Sequence, residues 1–196
     1  MTGTKVREAT NADVEAAVDT LTQGLLDYPM SRACFDPDGY VDRLTRYHRL
    51  FVEAIGIPHG RVWVTDDVRA VAIWLPPDLP AEAFAPHAAE FKALAGSKAD
   101  LTAEYGQAIA LFHPRTPSWL LALAAVHPDH QRQGLGHAVI EPGLAAADAA
   151  HSPTFVETQD PANVGFYESF GFTVIAELEL PHNGPMHYAL YRPPQP

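Results

Sequence analysis

Residues able to do chemistry cluster most densely at His130-Gln131-Arg132-Gln133-Gly134-Leu135-Gly136-His137. The run is entered from the apolar stretch Trp119 to Val126 and left through the alanine-rich Ala138 to Ala150, so it reads as strand, tight turn and helix. Gly134 and Gly136 let the backbone turn sharply and approach a ligand with no Cβ in the way. The helix that follows aims its unpaired amides and the positive end of its dipole at the turn, an arrangement that attracts an anion. A nucleoside-triphosphate loop would need Gly-Lys-Ser/Thr, and no lysine or hydroxyl residue follows Gly136 in that register. A dinucleotide turn would need a third small residue where this chain has Val139. What remains is Gln-x-x-Gly-x-Gly at Gln131, Gly134 and Gly136.

A second motif follows at Asn163-Val164-Gly165-Phe166-Tyr167-Glu168-Ser169-Phe170-Gly171-Phe172. The two motifs, in this order and at this distance, resemble those of the GNAT family of N-acetyltransferases. The resemblance covers nearly the whole chain and implies that Gln131, Arg132, Gln133, Gly134, Leu135, Gly136 and His137 hold the pyrophosphate of acetyl-CoA as co-substrate. It implies further that Ala125 and Val126 meet the pantetheine arm along a strand edge, where a backbone amide also faces the developing oxyanion. Tyr167 becomes the proton donor to the leaving thiolate; packed on the sheet, it would have no such role. With a phenol near ~10 and a thiol near ~8.5, full transfer is uphill by roughly 2 kcal/mol, so hydrogen bonding is the expected action. Asn163 reads equally as a helix cap and as a cofactor contact, and Arg132 as a phosphate ligand or a plain surface cation.

An acceptor amine arrives protonated, so the reaction needs a base or a water chain ending in a carboxylate. Glu157 is the first candidate and Asp27 the second. Asp27-Tyr28-Pro29, Val62-Trp63-Val64, Pro128 to Gln131, Pro142-Gly143 and Phe155 to Thr158 are similar to members of the family that acetylate an aminoacyl-nucleoside antibiotic. That resemblance implies a small-molecule primary amine as acceptor, with Asp27, Tyr28 and Trp63 at its binding site. The rival readings are a polyamine, an amino acid or a protein amine as acceptor, and an acyl-CoA-binding sensor without turnover.

The 196 residues suit one domain, 1–196, and a formal net charge of −11 argues against nucleic acid as a partner. The same field attracts a cationic small molecule, although acidity also serves solubility alone. The longest apolar run is far short of a membrane span and Met1 to Lys5 begins no signal region, so no membrane partner and a cytoplasmic location are expected. The single Cys34 allows neither an internal disulfide nor a cysteine-built zinc site. His127 and His130 flank the turn without further ligands at metal spacing, so no metal is expected. The oligomeric state stays open.

These residues need a scaffold. Val6-Arg7-Glu8 reads as a strand, and Thr10 with Asp13 as a capping box for a helix along Val14, Ala17, Val18, Leu21 and Leu25. A turn at residues 36–39 precedes a second helix with Val41, Leu44, His48, Phe51 and Ile55 expected inside. Residues 61–65 and 68–75 form a hairpin; Ala81 to Leu111 is a helical insertion interrupted at Gly96-Ser97, either a cover for the sheet or a lid over the acceptor. Pro142 should kink or divide the helix after the turn. Strands at 153–159, 172–180 and 186–191 and a short helix at 162–170 complete an α/β order. The resemblance implies the GNAT acetyltransferase fold: a mixed, twisted sheet with helices on both faces and a splayed central strand pair.

Overall fold

The computed structural model describes residues 4–195. The chain starts with β1 (Val6–Glu8), and a capping box then launches α1 (Val14–Gly24). Asp13 accepts hydrogen bonds from the Thr10 amide at 2.8 Å and its hydroxyl at 3.0 Å, and Arg7 clamps the same carboxylate at 2.7 and 2.8 Å. Next come α2 (Pro29–Cys34), α3 (Tyr40–Leu50), a π-helical stretch at Phe51–Gly56 and the one-turn α4 (Ile57–His59). The buried face of α3 is Tyr40, Leu44 and His48, continued by Phe51 and Ile55. Val41, expected inside, is 53% exposed because the helix begins at Tyr40 and the neighbouring position points about 100° away.

The hairpin β2 (Arg61–Thr65) and β3 (Ala70–Leu75) leads into the insertion, which holds α5 (Ala88–Ala95) and α6 (Ala99–Ala110). β4 (Trp119–Val126), α7 (Leu135–Ala149), β5 (Thr154–Thr158), α8 (Ala162–Glu168), β6 (Thr173–Glu179) and β7 (Met186–Arg192) follow. The seven strands form one sheet in the order β1-β2-β3-β4-β5-β7-β6. Only β4 and β5 run parallel, as the crossover through α7 requires. One sheet face packs on α1 and the 51–56 stretch through Val18, Leu21, Ile55, Val62, Val64 and Ile73; the other packs on α7 through Ala72, Trp74, Val139, Ile140 and Val156. A third apolar cluster joins α2 and α3 to the insertion through Cys34, Leu44, Leu94 and Tyr105, with Leu180. The insertion therefore packs on α2 and α3.

Pro142 does not divide α7, which is assigned as one helix over its 15 residues. Its buried stripe, Val139, Ile140, Gly143, Leu144 and Ala147, runs past the proline on both sides and holds the helix to the sheet. Gly143 is what allows the approach: a Cβ there would lie 2.1 Å from the Trp74 indole nitrogen.

Two features of β4 open the sheet. It pairs with β3 along its whole length, with a bulge where Ile73 opposes Leu123 but Trp74 opposes Leu121. The extra residue, Ala122, puts Ala122 and Leu123 on the same face, so a strand that otherwise alternates shifts its pattern there. On the other side, β4 pairs with β5 only at Trp119, Leu120 and Leu121. Beyond Leu121 the two strands part, leaving residues 122–126 without a strand neighbour on that edge.

Candidate active site

The turn after β4 presents a run of unpaired backbone amides. Among the described residues, no backbone amide from 132 to 137 donates to a protein acceptor; the first bond of the helix runs from the Ala138 amide to the Gly134 carbonyl at 3.1 Å. Gly134 (φ 79°) and Arg132 (φ 60°) both take the left-handed conformation, which costs nothing at the glycine and is strained at the arginine. Gln131 Nε2 reaches the Val126 carbonyl at 3.4 Å and ties the turn to the end of the strand. Arg132 and Gln133 are exposed, and Leu135 and Gly136 half-buried. The His137 ring lies against Phe166 and Phe170 with Nε2 3.2 Å from the Ser169 hydroxyl, so its side chain braces α7 against α8 and only its amide faces the turn. These orphan amides at a helix N-terminus match the needs of a pyrophosphate, and the open edge of β4 those of an amide-bearing pantetheine arm. Ala125 is buried against Gly24 of α1, so it has only its backbone to offer; Val126 is half-buried.

A cavity of about 620 Å³ opens from this splay. Its floor is Leu121, Ala122, Leu123 and Ala124 of β4, and its far wall comes from α2, α3 and the insertion, including Phe35, Tyr47, Phe51, Phe84 and Phe91. Tyr28, Glu157, Asn163 and Tyr167 converge on it. Tyr167 is buried between the Phe166 and Phe172 rings, and its hydroxyl bonds to no protein group among the described residues. Burial, reinforced by the nearby Tyr28, pushes its phenol well above the ordinary range, so it carries its proton at neutral pH. Asn163 does not cap α8, which starts at Ala162 behind Pro161; its amide donates to Thr158 Oγ1 at 3.2 Å.

Tyr28 anchors a chain of polar contacts at this end. Its hydroxyl accepts from the Gln159 amide at 2.8 Å, lies 3.0 Å from Thr158 Oγ1 and donates to Gln159 Oε1 at 3.1 Å. Gln159 Nε2 is then free to donate to His187 Nδ1 at 2.7 Å, which places the His187 proton on Nε2, 3.4 Å from Glu157 Oε1. The geometry of that last contact is too poor for a hydrogen bond. His113 Nε2 lies 3.2 Å from the same carboxylate oxygen. Burial pushes the Glu157 carboxyl up, but the two histidines more than offset it and leave it below the usual carboxylate range. Glu157 is thus an anion at the mouth of the splay, its side chain 21% exposed.

Two residues expected at the acceptor site lie elsewhere. Trp63 points from β2 into the apolar layer under α7, on the sheet face opposite the cavity. The alternation of β2 decides this, since Val62 and Val64 face α1. The Asp27 side chain is 85% exposed, paired with Arg32 at 2.5 Å and absent from the cavity lining. His113, His187 and Gln159 escaped the sequence reading: they are brought to Glu157 from 44, 30 and 2 positions away by the β5–β7 pairing and by the loop that closes the insertion. Within the described residues no three metal-ligating side chains cluster, and no helix is long and apolar enough to cross a membrane.

The acetyltransferase (GNAT) domain model matches residues 98–174, the segment that contains β4, the anion turn, α7, β5 and α8. A Corynebacterium glutamicum structure described as histone acetyltransferase HPA2 and related acetyltransferase superposes with a TM-score of 0.75 at 25% identity, over 98% of this chain and 97% of that one. A Drosophila melanogaster polyamine N-acetyltransferase that forms N-acetylagmatine gives 0.62 at 14% identity, over 96% and 99%. The ribosomal-protein-S18-alanine N-acetyltransferase of Escherichia coli gives 0.56 at 15%, over 98% and 94%. The domain match and these superpositions support an acyltransferase enzyme, with the mixed sheet and flanking helices of the GNAT acetyltransferase fold.

The unpaired amides generate a direct test. A Cβ at Gly136 would meet the Phe166 ring at 3.4 Å, an ordinary contact, so Gly136→Asp should fold while setting a carboxylate among the amides. Its dissociation constant for acetyl-CoA should rise more than about tenfold. Calorimetry showing an unchanged affinity would remove the pyrophosphate from this turn.

Proposed function

We propose that this protein transfers the acetyl group of acetyl-CoA to the primary amine of a small aromatic molecule, with an aminoacyl nucleoside of the puromycin type as the leading acceptor. The observation that carries this reading is the composition of the cavity. Its wall is aromatic, and Glu157 is the one carboxylate among its described lining residues. An aromatic monoamine finds there a ring surface and a single anion for its ammonium. A polyamine, with several separated charges, would leave all but one of them in an apolar enclosure. Resistance or detoxification would be the biological setting, and the interior of the cell its place.

Acetyl-CoA supplies the activated acetyl group as a thioester. Residues 132–137 would hold its diphosphate with their amides, and the open edge of β4 would take the arm. Glu157 receives the ammonium proton, which leaves the amine nucleophilic. A β4 amide at the splay donates to the carbonyl oxygen as charge builds there. Tyr167, held protonated by burial, donates a hydrogen bond to the departing sulfur. Tyr28 and Asn163 fix the Thr158 end of the site, and Arg132 adds positive charge beside the diphosphate.

At saturating acetyl-CoA, puromycin should be acetylated with kcat/KM at least about tenfold above a lysine peptide or spermidine, measured by release of free CoA. In the same assay Tyr167→Phe should lower kcat by about tenfold or more while acetyl-CoA affinity stays put. Inert puromycin beside an active polyamine or peptide would sink the acceptor assignment. A parent enzyme that binds acetyl-CoA yet releases no CoA with any amine would favour an acyl-CoA sensor.

A further inference from the structure

Glu157 poses a problem for the mechanism that its neighbours resolve. A carboxylate held below its usual range is a good anchor for an ammonium but a poor resting place for the proton it takes. It also sits in the wall of an apolar cavity, where acceptor and thioester would cut it off from bulk water. One neighbour spans the gap. His113, in the loop between α6 and β4, sets Nε2 3.2 Å from Glu157 Oε1 while its side chain remains 47% exposed. Its ring stands edge-on to Phe155 at 5.4 Å, which fixes the orientation, and its Nδ1 bonds to no protein group among the described residues. The hydrogen bond and charge of Glu157 hold the imidazole above its ordinary range despite partial burial, so the histidine holds the proton better than a free imidazole would.

From this geometry we infer that His113 is the proton exit of the active site, carrying to solvent the proton that Glu157 takes from the acceptor ammonium. The inference rests on the acetyl-transfer reading above. The steps balance: the ammonium N–H bond breaks and its proton passes to the Glu157 carboxylate, whose neutralisation lets His113 carry its own proton on Nδ1 and accept the relayed one at Nε2. The resulting imidazolium gives up its Nδ1 proton to water, which restores the Nε2–H tautomer facing the carboxylate. The amine's second proton follows the acetyl transfer to the thiolate, so one proton leaves per amide formed. His187 cannot share this task, being fully buried with Nδ1 engaged by Gln159 and Nε2 3.4 Å from Glu157 Oε1 without a hydrogen bond. The other ionisable group nearby is Tyr28, pushed up by burial and also by the charges of Asp160 and Glu157. His113 acts through Glu157 and touches no substrate, so it is a positioning and relay residue.

The test compares the parent with His113→Gln, which keeps a hydrogen-bond donor without the relay, and His113→Ala, which leaves room for a free base. The readout is CoA release with the best acceptor amine. Both variants should lose about tenfold or more in kcat with KM for the amine changed less than about twofold, and added imidazole should restore His113→Ala but not alter the parent. By NMR titration, the His113 pKa should fall toward its ordinary value in Glu157→Gln. Variants with parental kcat, a loss that imidazole leaves untouched, or a His113 titration indifferent to Glu157→Gln would overturn the relay. A parent that turns over no amine would overturn the acetyl-transfer reading itself, whatever the titration shows.

Discussion

The short contact between β4 and β5 is the constraint on which the rest of the site depends. Three paired residues hold the two strands parallel, and a bulge at Ala122 then turns β4 away while β3 keeps its hold. A longer ladder would close the sheet and fill the cavity floor; a shorter one would let the two halves of the sheet drift. The parallel pairing forces the chain through a crossover, and the crossover helix is α7, whose N-terminus carries the unpaired amides. One topological choice therefore delivers both the open strand edge and the anion cradle at its end. Gly143 against Trp74 keeps α7 close enough to the sheet for the two to meet.

Desolvation tunes the groups around that opening in different directions. It raises Tyr167, which has no charged partner to counter the effect, and so keeps a protonated phenol at the cavity. At Glu157 two histidines outweigh it and keep an anion in the cavity wall. The site thus separates a donor and an acceptor across one cavity, the pattern that proton-transfer chemistry at neutral pH needs. The insertion adds the aromatic wall, and by packing on α2 and α3 it makes the enclosure part of the folded body.

Much of this was legible in the sequence because local chemistry wrote it there. The glycines of the turn, the apolar run before it and the capping box at Thr10 and Asp13 each encode their own geometry, and every strand expected is present within a few residues. The bulge left no trace, since an extra alanine inside Trp119–Val126 looks like any other apolar position. The resemblance at Val62-Trp63-Val64 carries no information on which sheet face a side chain takes, and strand alternation sends Trp63 to the face opposite the cavity. Asp27 lies beside Tyr28, which lines the cavity, but its own side chain turns to solvent and Arg32. The histidines around Glu157 lie in separate elements, and only the assembled sheet brings them together. Pro142 shows the reverse case, a strong local signal for a break overruled by a buried stripe that continues past it.

If the opening between β4 and β5 receives the thioester arm while the turn after β4 holds the diphosphate, both stretches of backbone are engaged when acetyl-CoA binds. Amide hydrogen exchange with and without acetyl-CoA tests it most directly, because it reports on the backbone groups said to be engaged. Exchange should slow on binding at residues 122–126 and at residues 132–137 together, with β1, β2 and β6 unchanged. Protection at the turn with none along 122–126, or protection spread evenly over the sheet, would contradict it.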